Sequence, residues 1–281
     1  MKPQEKVWYV TGASKGLGLS LVKQLLAAGN KVAATSRNLS ELEKVVGGDP
    51  NFLPLAVDLK DESSVNDAIK AAVSTFGRLD VIVNNAGYGL IGSLEELSDM
   101  ESRGNFEINV FGMLNVIRNV MPLLRQQKSG HIINISSIGG FSGAFPGFGI
   151  YCATKFAVVG LSESLSAEAK SFGINVTVVQ PGYFRTNFLS AGSIAVPANQ
   201  IEDYAAVRES QHAHEASIDG NQPGDPEKAV AAMIAITNAE NPPLHLFLGK
   251  DAYALADQKI LSVQNDMDKW ENMATATGFD Q

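Results

Sequence analysis

Seven short apolar runs punctuate the chain, at residues 7–10, 31–35, 52–57, 79–83, 131–135, 174–179 and 244–248. The run at 79–83 is apolar almost throughout instead of alternating, which predicts a strand covered on both faces, as in a parallel sheet held between helices. The stretches between the runs carry the helical period. Leu19, Val22, Leu25 and Leu26 follow the first run, and Val65, Ala68, Ile69, Ala72 and Val73 share a face within 62–76. A long helical segment over 97–125 is interrupted by Gly104, Gly112 and Pro122, and another helix is predicted over 150–171. Asp225-Pro226-Glu227 offers a capping side chain and a first-turn proline, so a helix starts there. Tyr253, Leu255, Ile260, Leu261, Val263, Met267 and Trp270 predict a last helix over 251–273. Strand and helix alternate through most of the chain, which is the mark of the α/β class. Residues 187–224 break that rhythm, with helical hints only around 202–213, and are expected to form a lid or binding loop.

Composition narrows the setting. The chain of 281 residues is long enough to bury a full core, and 45% hydrophobic residues with 26 glycines suit a globular domain with many tight turns. A net charge of −8 argues against nucleic acid or an anionic membrane as a general partner. No apolar run approaches the ~20 residues that span a bilayer. Cys152 is the one cysteine and the first six residues contain no apolar signal region, so a cytoplasmic protein without internal disulfides is expected.

The first strand runs into Thr11-Gly12-Ala13-Ser14-Lys15-Gly16-Leu17-Gly18 and then a helix. In that context the glycines permit a tight turn and close backbone approach, and the helix N-terminus offers free N–H groups to a pyrophosphate. The carboxyl end of the second strand discriminates between dinucleotides. A carboxylate there accepts from a ribose 2′-hydroxyl, whereas an arginine pairs with a 2′-phosphate. This chain has Ser36-Arg37 and, in the glycine loop, Lys15. Asp58 ends the third strand as a ligand contact or a turn cap. The fourth strand ends in the small turn Asn84-Asn85-Ala86-Gly87, and Asn109 lies mid-helix, where a local kink or a water site is expected.

Ser136-Ser137 ends the fifth strand, and Tyr151-Cys152-Ala153-Thr154-Lys155 opens the next helix. Tyr151 and Lys155, at i and i+4, project from one face. A phenol, which ordinarily titrates at about 10, is a poor acid or base at neutral pH, and a neighbouring cation lowers that value. A serine hydroxyl beside it is suited to holding a substrate oxygen.

Taken in order, the glycine loop, Asp58, Asn84-Asn85-Ala86-Gly87, Asn109, Ser137, Tyr151/Lys155, Pro181-Gly182 and Thr186 resemble the short-chain dehydrogenase/reductase family over residues 6 to about 250. The resemblance implies a three-layer, doubly wound Rossmann-like domain. Seven parallel strands would lie between helices, with a cofactor and catalytic core at 6–186, a substrate lid at 187–224 and a C-terminal helical extension at 251–275. It implies that Gly12, Gly16 and Gly18 cradle a pyrophosphate, with Ser14, Lys15, Leu17 and Pro181 among the cofactor contacts. Asp58 would meet adenine, Asn85 and Gly87 the adenosine half, and Thr186 the nicotinamide carboxamide. Tyr151 would be the acid or base, Lys155 would lower its pKa and bind the nicotinamide ribose, Ser137 would polarise a carbonyl, and Asn109 would hold a water relaying protons to Lys155. Arg37 and Lys15 match positions where NADP-preferring members carry cations, so NADP(H) is expected in preference to NAD(H). Ser137 to Tyr151 is fourteen positions, one longer than usual in the family, and Ser136, one further, is the weaker candidate.

The resemblance extends to longer members related to steroid and retinol dehydrogenases. Tyr88, Phe145, Tyr183, Phe184 and Phe188 are expected either around the pocket, favouring an apolar or aromatic carbonyl or alcohol substrate, or in the core. No metal is expected: His212 and His214 form the one His-x-His pair. Cys152 is expected to pack rather than react. Family members are commonly homodimers or homotetramers. The competing readings are a dinucleotide-binding redox sensor without turnover, an NAD-linked alcohol dehydrogenase, and a sugar-nucleotide epimerase or dehydratase, whose glycine loop and larger C-terminal domain differ.

Overall fold

All seven strands expected from the sequence form, and each is parallel to its neighbours. The protein's structure is a computed structural model that describes residues 5–189 and 193–279. Residues 1–4 of the N-terminal stretch and 190–192 of the expected lid lie outside the described residues. The strands are β1 (Val7–Val10), β2 (Lys31–Ser36), β3 (Phe52–Ala56), β4 (Val81–Asn84), β5 (Gly130–Ile135), β6 (Ile174–Pro181) and β7 (His245–Leu248). Their spatial order is β3-β2-β1-β4-β5-β6-β7.

Alternate side chains of the central strands feed two separate cores. Val7 and Tyr9 of β1, Ile82 of β4 and Ile132 of β5 join one; Trp8 and Val10, Val81 and Val83, and Ile133 join the other. The first core is closed by α3 (Glu62–Phe76), α5 (Met113–Gln127) and α6 (Gly149–Ala169), the second by α1 (Gly16–Ala27), α2 (Leu39–Val46) and α8 (Pro226–Ile236). Strands buried on both faces need apolar residues at every position, which is why the runs are nearly continuous.

The strand order reverses between β1 and β4. In open α/β sheets the carboxyl ends at such a reversal leave a crevice between diverging connections. Here those ends carry the glycine loop and Asn84-Asn85-Ala86-Gly87.

Local signals behave as their chemistry dictates. Asp225 Oδ1 accepts from Glu227 N at 2.9 Å with Pro226 in the first turn, and Ser98 with Glu101 forms a capping box before α4 (Asp99–Phe106). The helical segment expected over 97–125 is continuous where breaks were expected. Gly104 lies inside α4, Pro122 is exposed on the outer face of α5, and residues Glu107–Gly112 form a π-helical turn joining α4 to α5. Gly112 answers to a close approach, since a Cβ there would lie 3.0 Å from Leu59 Cβ.

Two elements escaped the sequence pattern, helix α2 and a short strand pairing that reaches into the expected lid. Helix α2 buries only Leu42, too little for a periodic signal, and rests on the Asn38 cap. Within 187–224, Ile194–Ala195 pairs in parallel with Gly89–Leu90, and α7 (Ala205–His212) continues into a second π-helical turn at Ala213–Ile218. Helix α9 (Lys250–Thr275) packs through Ala252 and Ala256 and is exposed from residue 257 onward. Among the described residues, no helix is long and apolar enough to cross a membrane.

Candidate active site

The carboxyl ends of β1, β2, β4, β5 and β6 open into one cleft of about 1060 Å³. Its floor is the glycine loop. Gly12 has φ +65° and Gly16 φ +57°, left-handed values that L side chains rarely adopt. A Cβ on Gly12 would lie 2.7 Å from Ala86 Cα, so the loops after β1 and β4 touch backbone to backbone. Asn85 locks that contact, its Nδ2 donating to Thr11 O at 3.0 Å and Gly12 O at 2.9 Å. Thr11 Oγ1 accepts from Asn85 N and Ala86 N at 3.0 and 3.1 Å. The N-cap of α1, Lys15, makes no side-chain cap, which leaves the first N–H groups of the helix to an anion. This cradle of bare glycine backbone at a helix N-terminus fits the pyrophosphate of a nicotinamide dinucleotide.

The other sequence-predicted cofactor residues divide into three groups. Ser14, Lys15, Leu17, Arg37, Asn85 and Gly87 line the cleft, as do Pro181 and Thr186 on the β6 side. Gly18 lies behind the loop: a Cβ there would press within 2.5 Å of both Asn85 Nδ2 and Gly12 O, so this glycine allows close packing. Asp58 sits between two cleft residues, Val57 and Leu59, and its Oδ1 accepts from Lys60 N at 3.0 Å, the turn-cap alternative. Lys15 turns toward the lid, where its Nζ donates to Ser193 Oγ at 2.6 Å. Arg37 is exposed at the end of β2, beside Ser36 and Asn38 on the cleft wall.

Helix α6 brings Tyr151 and Lys155 to the same cleft, both buried. Lys155 Nζ donates to Ile135 O at 2.9 Å and lies 5.8 Å from the Tyr151 ring centroid. Burial drives the Lys155 ammonium down to about 8. The Tyr151 phenol moves opposite to the sequence expectation. Burial pushes it up, and its hydrogen bond with the Ser137 hydroxyl only partly offsets that rise. The reason is the enclosure, with Phe148 and Phe188 stacked near the ring at 6.1 and 6.0 Å. Ser137 is itself fixed, its Oγ accepting from Gly139 N at 3.0 Å. Ser136 faces away, its Oγ donating to Lys155 O at 2.8 Å, so the two serines hold the helix and the phenol respectively.

Asn109 occupies the π-helical turn and is buried behind Gly87. Its Oδ1 accepts from Tyr88 N at 3.0 Å, and its Nδ2 donates to Tyr88 O at 3.0 Å and Thr154 Oγ1 at 3.1 Å. Thr154 Oγ1 in turn donates to Tyr151 O at 2.7 Å. Asn109 thus ties the loop after β4 to helix α6. Thr154, Thr11 and Ser193 carry no motif of their own, and only their contacts identify them.

The aromatic residues Tyr88, Phe145, Tyr183, Phe184 and Phe188 all line the cleft. His214 joins them, stacked 4.8 Å from Phe148, and the sequence offered it only as half of a poor metal pair. Cys152 is buried among Ile91, Phe148 and Tyr151, and burial raises its thiol to about 11, so it packs as expected.

With this geometry in place, comparison with known proteins defines the class. Residues 6–193 match the family model described as short chain dehydrogenase, and the chain belongs to that family. It is 36% identical over 276 residues to oxidoreductase BOA17 of Botryotinia fuckeliana, covering 97% of this chain and 99% of that protein. It is 38% identical over 252 residues to a protein of Bacteroides thetaiotaomicron named 3-ketodihydrosphingosine reductase, covering 89% of each. A short-chain dehydrogenase structure from Streptomyces avermitilis superposes with TM-score 0.90 at 37% identity, over 98% of this chain and all of that one. A 3-ketoacyl-(acyl-carrier-protein) reductase from Brucella melitensis, solved with NADH, has TM-score 0.73 at 25% identity, over 86% and 96% of the two chains. A short-chain dehydrogenase from Burkholderia cenocepacia, solved with NADP, has the same score at 26% identity, over 96% and 98%. The protein is an NAD(P)-dependent oxidoreductase with a Rossmann-like fold.

Proposed function

We propose that the protein is an NADPH-dependent carbonyl reductase, acting on an apolar or aromatic ketone or aldehyde. The observation that carries the reading is the placement of the Tyr151 phenol, buried in the cleft, hydrogen-bonded to Ser137 and one helical turn from Lys155. A phenol placed beside a serine hydroxyl, on one helix face with a lysine, is positioned to give a proton to the oxygen of a carbonyl being reduced. The cofactor, when bound, supplies the hydride. Ser137 hydrogen-bonds the carbonyl oxygen beside the phenol, and Lys155, near 8, restores the proton after transfer. Asn109 and Thr154 keep the Tyr151 helix in register with the loop after β4.

For NADPH over NADH the support is Arg37, exposed on the cleft wall at the end of β2 with no carboxylate beside it at Ser36 or Asn38. Lys15 contributes less than its sequence position suggested, because its amine reaches Ser193. The aromatic lining favours an apolar substrate, and the Bacteroides relative's name, that of a ketone reductase, is consistent with reduction. The segment 187–224 serves as a lid in this reading. Exposed Phe111 and Phe156, and the exposed apolar residues of α9, support a homo-oligomer, and the single cysteine supports a cytoplasmic setting.

The test is oxidation of NADPH and NADH by the purified protein with a panel of aromatic and aliphatic ketones, with Tyr151→Phe alongside. Turnover with NADPH that is lost in Tyr151→Phe supports the reading. Tight NADPH binding with no turnover of any carbonyl overturns it in favour of a sensor.

A further inference from the structure

The substrate half of the cleft contains a polar pair whose proton positions follow from its partners. His214 Nδ1 lies 2.7 Å from the Ser210 carbonyl oxygen, which can only accept, so the neutral ring carries its hydrogen on Nδ1. Its Nε2 is then a lone pair, 2.9 Å from the Tyr183 hydroxyl, and the hydroxyl must donate. With its one hydrogen committed, the Tyr183 oxygen retains acceptor capacity alone.

Both residues line the cleft that contains Tyr151. One ring separates His214 from the Tyr151 ring: Phe148 lies 4.8 Å from His214 and edge-on to Tyr151 at 6.1 Å, centroid to centroid. The tyrosine is held from behind, its backbone N donating to Asp251 Oδ2 at 2.6 Å and its carbonyl accepting from Gly224 N at 3.0 Å. A wall rich in aromatic rings therefore carries a fixed acceptor in the same cleft as the Tyr151 phenol.

We propose that Tyr183, oriented by His214, selects carbonyl substrates that bear a second hydrogen-bond donor, a hydroxyl or an amine, about one aromatic ring from the reacting carbonyl. The proposal rests on the carbonyl-reductase reading of Tyr151. A substrate lacking the donor leaves Tyr183 still bonded to His214, so the penalty is one lost neutral hydrogen bond and not a stranded buried group. That sets the preference at roughly 3- to 10-fold, far below what a wholly unpaired site would impose. A purely structural tie between lid and core would instead affect all substrates alike.

The experiment compares 4-(hydroxymethyl)acetophenone with 4-ethylacetophenone, which replaces O–H by a methyl of similar size. The ratio of kcat/KM for the pair is measured with NADPH in wild type, Tyr183→Phe and His214→Leu, and the dissociation constants of both ketones are measured by calorimetry. The expected result is a wild-type ratio of roughly 3 to 10 that falls to about 1 in Tyr183→Phe and declines in His214→Leu, where the Tyr183 hydrogen is released. An unchanged ratio in Tyr183→Phe, or an equal loss on both ketones, overturns the proposal while leaving the reductase reading intact. If neither ketone turns over but their affinity ratio falls in Tyr183→Phe, the acceptor site stands, and the reductase reading is decided separately by the wider carbonyl panel with Tyr151→Phe.

Discussion

Lys155 Nζ stands 5.8 Å from the centre of the Tyr151 ring while its hydrogen bond goes to the backbone, at Ile135 O. The i, i+4 spacing brought the two groups together, and the end of β5 then took the ammonium's hydrogen bond. Both groups are buried, so each is pushed toward its neutral form: the phenol keeps its proton and the amine loses its own more readily. The lowered ammonium suits proton resupply through Lys155, whereas burial by itself makes the phenol a weaker acid.

Removing the acid tests the assignment directly. Tyr151→Phe is expected to lower kcat for ketone reduction by at least about 100-fold, the usual range for a general acid. NADPH affinity, followed by cofactor fluorescence, should change far less, because the glycine loop is untouched.

The cofactor preference rests on one exposed cation. Arg37→Ala is expected to weaken NADPH binding by roughly 10- to 100-fold, the value of a charge-assisted contact to phosphate, and to leave NADH binding nearly unchanged. Equal weakening of both cofactors in paired titrations would mean that Arg37 does not meet the 2′-phosphate.

Lys155 links activity and stability to pH. Its amine sits near 8 when folded and near its ordinary value of 10.5 when unfolded. Between those values the unfolded chain binds more protons, so stability rises with pH across that window and the penalty of a buried cation is fully present below it. At pH 7 that penalty is on the order of 3 kcal/mol. Lys155→Met is therefore expected to be more stable than wild type in urea at pH 7, with the gap closing toward pH 10.5, while losing activity. In the wild type, kcat/KM for reduction is expected to fall as pH rises through about 8.

The contact between the two glycine-bearing loops admits no side chain. Gly12→Ala places a Cβ 2.7 Å from Ala86 Cα at a φ of +65°. A destabilisation of ~1–3 kcal/mol is expected, together with weaker binding of both NADPH and NADH. Thermal melting and cofactor titration on the same variant check both outcomes.

The sequence by itself determined the strand and helix alternation, the glycine loop after the first strand and the Tyr151/Lys155/Ser137 set. These signals are local: an apolar run buried on two faces, a glycine loop before a helix, a spacing of one turn. Only the tertiary structure decided how those side chains are used. It separated Ser136, bonded to Lys155 O, from Ser137 on the phenol, and it carried Lys15 to Ser193. It placed Asp58 in its own turn and paired His214 with Tyr183. It also reversed the expected direction of the Tyr151 pKa, because the balance between a nearby cation and burial depends on which rings enclose the phenol. Those rings come from Phe148 and Phe188, the second of them beyond β6, and the partners of Lys15, Ser136 and His214 likewise lie on other elements of the chain. No window of neighbouring residues contains that information, since burial and partner choice are properties of the packed molecule.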